Sequence, residues 1–139
     1  MFTYATCGMA RGREAGEEHG VEIFMLSPSP DSQIVEVLAA VAQYHVAGRP
    51  LGLHHTVNFG TPWLSGGSAC TFGFLSRPYL DGAEFEWSHS GVPPIRFLWL
   101  IPITEAERDF KVAHGADELE RRFEEHSFDY LDPWRPSVA

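Results

Sequence analysis

Phe97-Leu98-Trp99-Leu100-Ile101-Pro102-Ile103-Thr104-Glu105-Ala106-Glu107-Arg108 joins an apolar strand, a proline and a helix start in one run. Phe97 to Ile101 is unbroken apolar, the pattern of a strand buried on both faces rather than one alternating between core and water. Pro102 has no N–H for a ladder and biases Ile101 toward extended backbone, so the strand is expected to end at the proline. Thr104 with Glu107 three residues on is a capping box, in which hydroxyl and carboxylate satisfy backbone N–H groups at a helix entrance.

Downstream, the run leads into helices at Glu105 to His114 and Asp117 to His126, separated by Gly115. Leu119 and Phe123 share a face of the second, and Glu118 stands four residues before Arg122, the spacing of an exposed ion pair. Phe128 to Val138 is aromatic and proline-containing, as in a tail packed along the domain.

Upstream, Phe2 to Thr6 and Val21 to Leu26 read as strands around a polar, glycine-bearing loop at Arg11 to Gly20. Ser27-Pro28-Ser29-Pro30 ends the second strand, and Asp31 or Ser32 offers an N-cap oxygen. Ile34, Leu38, Val41, Ala42 and His45 form one helical face, widened by Val35, Val37 and Ala39. Gly48 and Pro50 close that helix. His54 to Phe59 and Cys70 to Leu75 follow as strands, a turn is expected at Asp81-Gly82, and a short strand at Glu84 to His89 precedes a loop at Ser90 to Pro94.

The run Phe97 to Glu107 resembles the suppressor of fused family, together with Gly115-Ala116-Asp117-Glu118-Leu119 and the ending Asp132-Pro133-Trp134-Arg135-Pro136-Ser137-Val138. Tyr4-Ala5-Thr6-Cys7-Gly8-Met9 is similar to the family's T-x-G-M strand and turn, and Val21-Glu22-Ile23-Phe24-Met25-Leu26 to its E-L strand. The matches span nearly the whole chain and keep their order. Family members usually carry a further segment before the T-x-G-M strand, so the reading admits a minimal domain or one lacking its first element. The resemblance implies an α+β fold, and it implies a binding role. In animals the similar domain sequesters a transcription factor, and bacterial relatives are thought to neutralise a cognate toxin as immunity proteins.

At 139 residues the chain is expected to form one domain, residues 1–139, with a single core. Its 44% hydrophobic and 21% charged content is that of a globular protein rather than a disordered one. The longest apolar runs fall far below the roughly 20 residues of a bilayer span, and Met1 leads straight into strand-like residues, so a cytoplasmic location is expected. Cys7 and Cys70 are then expected to be reduced thiols. A net charge of −9 argues against nucleic acid, which needs a basic face, and fits a basic protein partner as well as it fits simple solubility.

Seven histidines make a metal or hydrolytic site the first chemistry to weigh. His54 and His55 are adjacent, so on a strand their rings face opposite sides and cannot chelate one ion together. His45, His54 or His55, and His89 would have to converge in space, and ordinary surface or satisfied histidines are the preferred reading. Ser65-Gly66-Gly67-Ser68 is not a nucleophile elbow, and nothing fixes a base for Cys7. No catalytic residue, metal or cofactor is therefore expected.

Glu84 and Glu86 alternate on one face of their predicted strand with His89 continuing it and Trp87 opposite, which reads either as a crowded carboxylate pair or as a charged edge strand. With Trp63 in a neighbouring loop, these residues are the candidate partner contacts: Trp63, Glu84, Glu86, Trp87 and His89. The fold expected is α+β, a mixed and mostly antiparallel sheet with Arg96 to Ile103 near its centre and the helices packed on one side. The function expected is non-catalytic protein binding, with a toxin as partner. A small histidine-dependent hydrolase or metal enzyme is the alternative from another class, and a homodimerising module a weaker one.

Overall fold

Leu98, Leu100, Ile101 and Ile103 have no exposed surface and Trp99 only 1%, because the strand that carries them lies in the middle of a sheet. The computed structural model describes residues 1–12, 19–80, 82–90 and 93–139. The strands are β1 (Phe2–Ala5), β2 (Gly20–Ser27), β3 (Thr56–Asn58), β4 (Cys70–Ser76), β5 (Trp87–Ser88) and β6 (Ile95–Thr104). Their order is β1-β2-β6-β4-β3, with β5 also on β6. Only β2 and β6 run parallel, paired from Gly20 opposite Ile95 to Phe24 opposite Trp99; the other ladders are antiparallel.

Alternation along β6 builds two cores. Leu98 and Leu100 join Ile23, Met25, Cys70 and Leu75 on one face, covered by α1 (Ser32–Val46) through Ile34, Val37, Leu38 and Val41. Trp99, Ile101 and Ile103 join Phe72 and Phe74 on the other, covered by Leu119 and Phe123 of α3 (Ala116–Glu125) and by Val138 of the tail. The helices therefore lie on both faces, not on one side as expected. An unbroken apolar strand demands this, since each of its faces needs a cover.

α1 starts at Asp31, whose Oδ1 accepts from Gln33 N at 2.9 Å. The same carboxylate accepts from Ser65 N (3.0 Å) and Ser65 Oγ (2.5 Å), and these bonds, the Ser65 hydroxyl first, hold it below the usual carboxylate range. His45 ends the buried face of α1, and its Nδ1 accepts from Leu51 N at 2.9 Å, so this histidine belongs to the core. α2 (Glu105–His114) begins with the expected capping box, Thr104 and Glu107 bonding reciprocally, and Gly115 at φ 97° separates it from α3.

Several boundaries differ from the sequence reading. β6 continues through Pro102 to Thr104. Pro102 lies opposite Gly73 but beyond the last β2–β6 pair, so the strand is flanked on one side only and a missing N–H is tolerated there, as on an edge. The strand expected from His54 shrinks to Thr56–Asn58, because His54 has a φ of 70°. The strand expected at Glu84 to His89 is a 3-10 turn (Ala83–Phe85) followed by β5. Glu118 pairs with Arg121, which also reaches Glu125, while Arg122 lies over Phe110 and donates to the Val138 carbonyl at 3.1 Å. Of the loop expected at Arg11 to Gly20, Met9–Gly12 is a 3-10 turn, Gly20 opens β2, and residues 13–18 lie outside the described residues, as do Asp81 and residues 91–92 of the other two expected turns.

Gly73 is where β4 most needs glycine. A Cβ there would stand 2.6 Å from Leu100 Cδ1 and 2.7 Å from the Phe59 ring. Gly73→Ala is expected to cost about 1–3 kcal/mol through overpacking, read as a lower urea midpoint with an unchanged slope.

Candidate functional site

The family-like motifs turn out to be structural. Glu22 of β2 is 5% exposed, and its carboxylate accepts from Thr6 Oγ1 (2.7 Å) and from the backbone N–H groups of Gly8 (3.2 Å), Met9 (3.0 Å) and Ala10 (3.1 Å). Thr-x-Gly-Met is thus a turn folded around a buried carboxylate. At the opposite end, Glu107 has no exposed surface and receives Arg135 through two bonds of 2.8 Å, with Val138 N adding a third at 3.0 Å. Arg135 also donates to the Pro102 carbonyl at 3.0 Å and lies over the Phe123 and Phe128 rings. The tail is packed as expected, and both carboxylates are held inside the fold.

The five expected contact residues do not form one acidic face. Trp63 is 1% exposed within the α1-side core, so it cannot touch a partner. Glu86 is neutralised by Arg96, at 2.9 and 3.0 Å, and the Arg96 guanidinium lies 5.2 Å from the centre of the Trp87 ring. Trp87 and His89 do come together, their rings 6.3 Å apart, with His19 edge-on to Trp87 at 4.9 Å. Glu84 is exposed in the 3-10 turn. The histidines that a shared metal site would need to bring together stay apart in role: His45 is in the core, His89 is beside Trp87, and His54 lies 3.3 Å from Glu120.

β3 is the more distinctive surface. It ends the sheet, and among the described residues no strand lies beyond it. Its register fixes which backbone groups are free. Phe59 N bonds Thr71 O and Leu75 N bonds His55 O, so residues 55, 57 and 59 face β4. Thr56 and Asn58 therefore turn their N–H and C=O outward, away from the sheet. Beside them Val37, Val41 and Tyr44 of α1, with Val57 and Phe59, line an apolar cleft of about 250 Å³. Sequence reasoning missed this edge because it singled out charges and loop aromatics. The available signal was the apolar stripe Val37, Val41 and Tyr44 next to the short alternation of Thr56 to Phe59.

A mixed sheet between helical layers, with the edge strand β3 beside an apolar cleft, defines an α+β domain. The chain belongs to the suppressor of fused protein (SUFU) family, whose profile matches residues 1–136. Its structure is similar to that of a protein described as a SUFU homolog from Neisseria gonorrhoeae FA 1090, with a TM-score of 0.85 and 34% identity over 99% of this chain and 70% of that one. It also resembles a chain of the Sufu-Fu complex crystal structure, with a TM-score of 0.69 and 11% identity over 91% of this chain and 62% of that one. No curated protein matches the chain. Among the described residues, no helix is long and apolar enough to cross a membrane.

Proposed function

We propose that this chain is a non-catalytic protein-binding domain that takes an extended segment of its partner as an added strand along β3. The observation that carries the reading is the outward Thr56 and Asn58 backbone beside the Val37–Val41–Tyr44 cleft. Main-chain bonds to the edge would supply affinity, and alternate side chains of the partner segment would enter the cleft. The fold shared with a chain of the Sufu-Fu complex, a protein-bound assembly, supports a binding role. Glu84, Trp87 and His89 serve as a second contact patch; Trp63 and Glu86, buried and ion-paired, leave the set.

The partner is a basic toxin, which this chain neutralises in the cytoplasm as an immunity protein. The family resemblance supports that role, and the net charge of −9 would speed encounter with a basic protein. The test is co-expression with the product of the adjacent gene, scoring cell survival and the formation of a stoichiometric complex. Thr56→Pro removes one outward N–H and leaves the β4 ladder intact, so it is expected to weaken the complex about tenfold or more. A complex indifferent to Thr56→Pro would overturn the edge assignment, and a neighbouring product that is neither toxic nor bound would overturn the immunity role.

A further inference from the structure

We propose that His54, Asp117 and Glu120 form a binding site for one divalent ion of the zinc type. One ligand atom from each of these residues lies within 4.8 Å of the other two. Asp117 and Glu120 are three apart on α3 and so share a face, while His54 comes from the segment leading into β3. The distance from His54 Nε2 to Glu120 Oε1 is 3.3 Å. That is the edge of a coordination tetrahedron built from bonds of about 2.0–2.1 Å, the zinc–imidazole and zinc–carboxylate lengths.

Two of the three ligands, His54 and Glu120, are held in place by the fold, while Asp117 is exposed beside them. His54 N donates to the Leu75 carbonyl at 2.7 Å, and its ring stacks on buried Phe74 with 6° between the planes. This holds Nε2 toward the carboxylates. Ser76, which has no exposed surface, donates through Oγ to Glu120 at 2.8 Å and orients that carboxylate, the part an outer-shell partner plays in metal sites. Glu124 and Tyr79 also line the cleft, and the Tyr79 phenol is pushed up to about 12 by burial and by the charges of Glu120 and Glu124. The other cation there, Arg77, is drawn to Glu86, its Nε 3.7 Å away. One imidazole and two carboxylates favour a borderline transition ion over magnesium or calcium, which prefer oxygen alone. A bound ion would tie the start of β3 to α3.

Zinc titration of chelator-stripped protein tests this site without reference to any protein partner. One zinc per chain is expected, with a shift of the His54 ring resonances and an unchanged response in excess magnesium. His54→Ala or Glu120→Gln should each weaken binding about tenfold or more, whereas Glu118→Gln, on the same helix but paired with Arg121, should not. Circular dichroism checks that the variants fold, and the resonance shift is read on the native chain. Zinc that leaves the His54 ring unperturbed, or that binds equally well to His54→Ala and Glu120→Gln, overturns the proposal.

Discussion

Arg135→Ala should destabilise the domain by about 3–5 kcal/mol, a large share of the roughly 5–15 kcal/mol that holds a domain folded. The reason lies in what it leaves behind. Glu107 has no exposed surface, and without the guanidinium its carboxylate keeps only the backbone donors Thr104 N and Val138 N. The charge would then sit in a dry site uncompensated. Arg135 also fills space over Phe123 and Phe128, so its loss opens the α3-side core. Urea unfolding checks the value; a loss under about 1 kcal/mol would mean that solvent reaches Glu107. The double variant Glu107→Leu/Arg135→Met should cost less than Arg135→Ala alone, because it removes both charges together.

Glu22→Gln is expected to cost about 2–4 kcal/mol, from loss of charge-assisted bonds at a buried acceptor. The change is nearly isosteric, which isolates the chemistry. Oε1 accepts from Thr6 and Met9 and Oε2 from Gly8 and Ala10, so an amide nitrogen in either position faces donors. The effect should also be local. Hydrogen exchange is expected to show lost protection at Gly8, Met9 and Ala10 before any change at Leu98 or Leu100. Uniform loss of protection would show that the turn and the central strand open as one unit.

How far the sequence could be read depends on how local each determinant is. The β6-to-α2 junction was legible because its strand, capping box and helix are contiguous from Phe97 to Arg108. α1 was legible for the same reason, its buried residues recurring at helical spacing. The unbroken apolar run of β6 already implies two buried faces, and that excludes helices on one side alone. What failed involved distant residues. Glu86 read as a free carboxylate because Arg96 reaches it only through the β5–β6 pairing. Trp63 read as a loop aromatic, although its backbone N bonds Cys70 O and its ring enters the core. The β3 edge carries no charge or motif, and its apolar stripe and short alternation gain meaning only once sheet order puts them side by side. Likewise His54 and Glu120 meet only in the folded chain, where Leu75 of β4 holds His54 and Ser76 holds Glu120 of α3.

The Glu107–Arg135 pair also bears on how the chain folds as it is made. The two residues are 28 positions apart, and the arginine follows α3. A nascent chain that has extruded α2 but still holds Arg135 inside the ribosome carries an acid with no counter-ion. The layer formed by α3 and the segment that follows it should therefore close only once Arg135 has emerged, whereas α1 can settle on the opposite face earlier.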